Sequence, residues 1–206
     1  MRAADIGAVT LDAHGTLVRL ADPVPALLGV LRERGVERTS EAVLAGFRSE
    51  AAYYAPRAGE GYDEASLARL RRDCASIFLE AVGADLDAEE FAPAYVGTLR
   101  FEVLPGVVES LTRLRALGLE LAVVANWDFS LRERLEEVGL AQSFASIVHA
   151  ARKPAPDGLL QALGEIGVDA SRALHIGDGG VDEQAAHAAG MHFAPAPVPD
   201  AVAGLE

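Results

Sequence analysis

Four short segments carry the side chains able to do chemistry. Asp12, His14 and Thr16 stand on one turn in "LDAHGTLV"; Asn126, Trp127 and Asp128 follow one another in "VANWD". Lys153 lies in "ARKPAPD", and Asp178 and Asp182 are spaced four apart in "GDGGVD". Three carboxylates brought together repel one another unless a cation sits among them, and one or two carboxylates with retained waters suit Mg²⁺. A lysine ammonium is a compact point charge that can pair with such a cluster where an arginine fork fits differently. Taken singly, each residue has a plainer reading, since Asp is a favoured helix cap and turn residue and a lysine is ordinarily solvated. Lys153, however, is the only lysine among 18 basic residues, and Asn126 is the only asparagine; both fall in this set.

The elements that must position these residues alternate. "DIGAVTLD" is an apolar run of the kind buried on both faces of a parallel sheet. Four helical stretches follow: "PVPALLGVLRERG", "SEAVLAGFRSEAAYY" after the cap types Thr39 and Ser40, "DEASLARLRRDCASIFLEAVG", and a weaker "DAEEFAPAYVGTLRF" that Pro93 is expected to interrupt. Residues 57–63, "RAGEGYD", read as a loop. From residue 104 onward, strand and helix alternate through "LELAVVAN", "SFASIVHA", "RALHIGD" and "MHFAP", which predicts right-handed parallel crossovers. The Pro- and Ala-rich tail "APAPVPDAVAGLE" is expected to be a loosely held end. In an open parallel sheet ligands bind beyond the carboxyl ends of the strands, and all four chemical segments fall there.

Composition narrows the partners. The formal net charge of −13 over 206 residues argues against nucleic acid and against an anionic membrane surface. No basic flank with an apolar run marks a leader at the N-terminus, and no run approaches the ~18 apolar residues of a membrane span. Cys74 is the single cysteine, which points to the cytoplasm. It lies on an apolar helix face with Leu67, Leu70, Ile77 and Phe78 and reads as core. His149, His175, His187 and His192 lack metal-ligand spacing and receive no role.

The order of the segments resembles the haloacid dehalogenase (HAD) superfamily along nearly the whole chain. "LDAHGTLV" is similar to its first motif, "LAVVAN" to its second, "RKPAPD" to its third and "HIGDGGVDEQAAHAAGM" to its fourth. The resemblance implies a Mg²⁺-dependent phosphohydrolase acting on a small phosphorylated metabolite through an aspartyl intermediate. Asp12 would be the nucleophile, with Lys153 supporting it, and Thr16, Asn126 and Trp127 would touch substrate. Asp12, the backbone carbonyl of His14, Asp178 and Asp182 would serve the metal. Two departures stand out. Family phosphatases carry an acid/base Asp where this chain has His14, whose imidazole can shuttle a proton near neutral pH. The hydroxyl residue ending the second motif is Ala125 here. A metal-free 2-haloacid dehalogenase, which needs no proton for its leaving halide, and a weakly active or inactive relative with a binding role are the alternatives. The expected fold is α/β: a Rossmann-like parallel sheet in a three-layer α/β/α core, residues 1–18 and 99–206, with an inserted all-helical cap, residues 19–98.

Overall fold

The run Ala8–Leu11 forms β1, and its four residues are all buried, as befits a strand covered on both faces. In the computed structural model, residues 5–205 are described; residues 1–4, where the expectation about a leader begins, and residue 206 lie outside them. The chain divides into two compact units, one running through Arg19 and resuming at Phe101, the other Leu20–Arg100.

In the first unit β1 is the middle of a five-stranded sheet with β4 (Glu120–Val124), β5 (Ser146–Val148), β6 (Ala173–Gly177) and β7 (His192–Pro195). The spatial order is β5-β4-β1-β6-β7, and all four pairings are parallel. The order reverses at β1, so the crevice beyond its carboxyl end is the topological switch point. A short ladder of β2 (Val18–Leu20) and β3 (Phe101–Val103), not foreseen from the sequence, forms where the chain departs and returns. Arg19 and Glu102 pair across it at 2.9 Å.

Strand periodicity sorts the core into two faces. Val9, Leu11, Leu121, Val123, Leu174 and Ile176 pack with α5 (Val107–Ala116), α6 (Leu131–Glu137) and α9 (Val198–Ala203). Ala8, Ala122, Val124 and Ala173 face α7 (Asp157–Ile166) and α8 (Gly180–Ala189). The tail is therefore not loose. Val198 and Val202, four apart on α9, and Leu205 are buried in the first of these cores.

The second unit is helical: α1 (Val24–Arg32), α2 (Ser40–Tyr54), α3 (Glu64–Val82) and α4 (Ala88–Val96). Thr39 caps α2 through its hydroxyl, Asp63 and Ser66 form a capping box on α3, and Gly83 ends α3 in the left-handed region. Pro93 does not interrupt α4, whose buried face of Phe91, Ala92 and Tyr95 continues across it. The stretch read as a loop opens instead with a 3₁₀ turn, Ala55–Glu60. Phe78 lies 5.0 Å from Tyr95 and 5.9 Å from Phe91 at the centre of this core. Glu50 is buried beside Cys74 and Tyr95, and burial pushes its carboxyl above the ordinary 4.5.

Candidate active site

Asp12 follows β1, and its N–H donates to the Ile176 carbonyl at 2.9 Å, tying it to the end of β6. The chain then turns tightly: the N–H groups of Leu17 and Val18 both return to the Ala13 carbonyl, at 2.8 and 3.0 Å. Gly15 makes this turn with φ +82°, and a Cβ there would stand 2.1 Å from Asp178 Oδ2. Asp178 therefore lies directly over the turn, in space that only glycine leaves open. His14 is exposed on the turn. Thr16 is buried, and its hydroxyl has no hydrogen-bond partner among the described residues.

Lys153 is carried inward by a loop in which Ala150 and Arg152 hold φ of +49° and +57°. Each left-handed non-glycine residue costs about 1 kcal/mol, strain accepted where the loop must turn back on the sheet. The ammonium spends all three protons inside the protein: on Asp12 Oδ1 at 2.6 Å, Asp182 Oδ1 at 2.5 Å and the Val124 carbonyl at 2.9 Å. Asn126 fixes the same loop from outside. Its Oδ1 accepts from the Lys153 N–H at 2.7 Å and its Nδ2 donates to the Lys153 carbonyl at 2.9 Å.

Asp182, on the first turn of α8, packs so closely over β6 that a Cβ on Gly177 would meet its Cγ at 2.4 Å. Its Oδ2 accepts from the Gly179 N–H at 3.0 Å. Its Oδ1, besides Lys153, meets His175 Nε2 at 3.3 Å, and His175 Nδ1 lies 2.8 Å from the Thr10 hydroxyl. Burial opposes ionisation of Asp182, but His175 and Lys153 together outweigh it and hold the carboxyl at about 2. Asp12 goes the other way: burial raises it, Lys153 only partly compensates, and Asp182 adds repulsion. Burial lowers His175 and so favours its neutral imidazole form.

Asp12, Asp178 and Asp182 each present a carboxylate oxygen within 4.8 Å of the others. Three carboxylates against one ammonium leave two negative charges in excess, and an all-oxygen anionic donor set fits a hard divalent cation. Among the sequence candidates, Asp12, Asp178, Asp182 and Lys153 are brought together, and the turn carrying His14 and Thr16 adjoins them. Asn126 spends its amide on the Lys153 backbone. Trp127 is 8% exposed, in the apolar core, with its ring centroid 4.9 Å from that of Phe101. Asp128 Oδ1 accepts from Ser130 N–H and hydroxyl at 2.8 and 2.6 Å, a turn ahead of α6. Sequence reasoning missed His175 and Thr10. Their signal was a polar residue at the third position of each of two otherwise apolar strands, in register with one another.

Residues 6–190 match the haloacid dehalogenase-like hydrolase family. The chain is 34% identical over 200 residues to the phosphoglycolate phosphatase of Rhodospirillum rubrum, covering 89% of this chain and 76% of that protein. It is 32% identical over 200 residues to haloacid dehalogenase-like hydrolase domain-containing protein 3 of Bos taurus, covering 89% and 79%. A defluorinating L-2-haloacid dehalogenase shares the fold with a TM-score of 0.74 at 19% identity, over 100% of this chain and 98% of that one.

Proposed function

For a chain that belongs to the haloacid dehalogenase-like hydrolase family, we propose the activity of a Mg²⁺-dependent phosphohydrolase acting on a small phosphorylated metabolite. The observation that carries this reading is the charge count: three carboxylates within 4.8 Å answered by one buried lysine. An anionic substrate meets net repulsion there until a divalent cation offsets the excess. Asp12, Asp178 and the His14 carbonyl would hold that ion, since Asp182 already serves Lys153, His175 and Gly179 with its two oxygens. When bound, Mg²⁺ supplies charge neutralisation at the phosphoryl oxygens.

The chain's own residues account for the rest. Asp12 attacks phosphorus, a carboxylate oxygen forming the new P–O bond while the bond to the leaving oxygen breaks. Lys153 holds Asp12 in one orientation through the 2.6 Å contact and favours its carboxylate form against the burial that raises it. His14, two residues on and exposed, protonates the leaving oxygen and then takes a proton from the water that hydrolyses the aspartyl-phosphate. The unpartnered Thr16 hydroxyl donates to the transferred group. The Rhodospirillum relative makes 2-phosphoglycolate the first substrate to try. We place the protein in the cytoplasm on its single cysteine.

A 2-haloacid dehalogenase reading is favoured by one observation, the absence of a carboxylate at position 14. The same charge count opposes it, because a haloacid carboxylate would enter a metal-free site already in negative excess. Hydrolysis of p-nitrophenyl phosphate and 2-phosphoglycolate with Mg²⁺ or EDTA, beside chloride release from L-2-chloropropionate, decides between them. Turnover that requires Mg²⁺ and vanishes in Asp12→Asn is expected. Chloride release in EDTA without phosphatase activity would transfer the assignment to dehalogenation.

A further inference from the structure

Beneath the site, on the sheet face turned toward α7 and α8, lies a buried polar pair that the proposed chemistry does not use. Thr10 and His175 are cross-strand partners on β1 and β6, and both are fully buried. The strand positions around them on this face include Ala8, Ala122, Val124 and Ala173, so an apolar side chain would suit both places. A buried imidazole and hydroxyl are tolerated only when their polar atoms are paired. Here the pairing runs in one line, Thr10 Oγ1 to His175 Nδ1 at 2.8 Å, His175 Nε2 to Asp182 Oδ1 at 3.3 Å, and Lys153 Nζ to that same oxygen at 2.5 Å.

The acceptor at the end of this line orders its protons. Asp182, ion-paired with Lys153, is a carboxylate and only accepts, so His175 Nε2 carries the hydrogen. A neutral imidazole then has a bare Nδ1, which accepts from the Thr10 hydroxyl. The reverse tautomer would aim a nitrogen lone pair at a carboxylate.

We infer that His175, locked as its Nε2–H tautomer by Thr10, is a positioning residue that fixes Asp182 so that Lys153 is aimed at the nucleophile Asp12. The line ends on a charged group of the site rather than on a backbone carbonyl, which distinguishes it from core packing. Asp182 Oδ1 accepts from Lys153 and His175 while Oδ2 accepts from the Gly179 N–H, and these three bonds together set the carboxylate's rotation. With His175 removed, one of the three restraints is lost, and the acceptor that Asp182 offers Lys153 is held less firmly. Outer partners of this kind typically change activity 10–100-fold when removed.

This inference rests on the phosphohydrolase reading only for its kinetic arm, and the other arms are independent of turnover. The first uses unaltered protein: ¹⁵N-histidine spectra at pH 7 should show one ring with a bare Nδ1 and a protonated Nε2, identified by its absence in His175→Gln. A protonated Nδ1 on that ring overturns the inference. The second uses the fact that Lys153 is the sole lysine. Reductive methylation with formaldehyde, followed by mass spectrometry, should modify it about 10-fold faster in His175→Phe than in wild type. His175→Gln, which retains a donor near the Nε2 position, should stay near the wild-type rate. In the kinetic arm, His175→Phe should lower kcat ~10–100-fold with KM within ~3-fold. His175→Gln should recover most of that loss, and the isosteric Thr10→Val should lower kcat ~2–10-fold. Wild-type methylation rate and kcat in both His175→Phe and Thr10→Val would make the pair core filling and overturn the inference. Should the wild type lack Mg²⁺-dependent hydrolysis, the functional reading fails, and the spectra and methylation rates still judge His175. Should His175→Phe not fold, Thr10→Val and the wild-type spectra carry the test.

Discussion

Replacing Lys153 by Met removes one charge and strands two. The ammonium lies 2.6 Å from Asp12 and 2.5 Å from Asp182, with its side chain 2% exposed. At an effective dielectric of ~20 each contact has a gross attraction of about 6 kcal/mol, most of it cancelled by the cost of taking the ions out of water. Removing one member of such a buried group costs about 3–5 kcal/mol, because the remaining charges lose compensation. The methionine fills the stem's space, so a cavity adds little. Asp12 is already pushed up by burial, and without Lys153 it rises further. A carboxyl raised in the folded state contributes stability that is complete below its unfolded value, 3.8, and is lost as pH rises through the folded value. The deficit relative to wild type should therefore be largest near pH 7.5 and shrink toward pH 5. Trp127 is the only tryptophan and lies in the core of the first unit, so its fluorescence during urea unfolding in EDTA reports on this unit. A loss of about 3–5 kcal/mol at pH 7.5 is expected, or ~6–20 °C in Tm, narrowing on acidification. A loss under about 1 kcal/mol with no pH dependence would refute the claim that Lys153 holds two ionised carboxylates.

Three further perturbations have definite outcomes. Glu50→Gln should stabilise the helical unit at pH 8 and leave it unchanged near pH 4, because burial raises the Glu50 carboxyl above 4.5 and its ionisation subtracts stability as pH rises. Each unit of that rise is worth about 1.4 kcal/mol, readable from circular-dichroism melts at the two pH values, and equal melts at both would contradict it. Gly15→Ala puts a Cβ 2.1 Å from Asp178 Oδ2 at φ +82°, costing about 1–2 kcal/mol in backbone strain and displacing the carboxylate. Calorimetric titration should show Mg²⁺ affinity falling at least ~10-fold while the fold is kept, and unchanged affinity would remove Asp178 from the metal set. His14→Ala should lower phosphatase kcat ~10²-fold, and His14→Asp should restore activity. An unaltered kcat in His14→Ala would rule out the proton-shuttle role.

Much of the core could be read from periodicity because its elements are regular. Strands such as "AVTL" and "ELAVV" are apolar throughout or nearly so, and the helices between them bury one stripe, so the alternation implies the parallel sheet. The misses share a physical origin in tertiary contact. Val198 and Val202 lie in a segment too short and proline-rich to hold a helix alone, and the core against α5 and β7 orders it. Pro93 bends no pattern because Phe91 and Tyr95 anchor α4 on both sides of it. In the site, Asp12, Lys153, Asp178 and Asp182 were legible because strand ends converge in a parallel sheet. Trp127 was not, since a ring at a strand end can face ligand or core, and only its packing on Phe101 decides. His175 escaped because its significance lies in a cross-strand neighbour, which spacing along the chain does not encode.

The chain's two rarest polar residues turn out to be bound to each other, and their chemistry explains why arginine, aspartate and serine do not replace them. Lys153 sits where three acceptors surround one point at 2.5–2.9 Å with 2% of the side chain exposed. A tetrahedral ammonium meets that demand with its three protons. A planar guanidinium has five donors and would leave at least two buried without acceptors, so the arginines that serve everywhere else on this chain cannot serve here. Asn126 faces the reverse problem, a backbone N–H and C=O of one residue to be satisfied together. Aspartate has no donor and serine has a single polar atom, whereas a carboxamide offers acceptor and donor side by side. It thereby holds Lys153 in a loop whose neighbours Ala150 and Arg152 are in the left-handed region. The strain of that loop, the amide clamp and the buried ammonium are one device, and its product is an Asp12 carboxylate fixed in place before any substrate arrives.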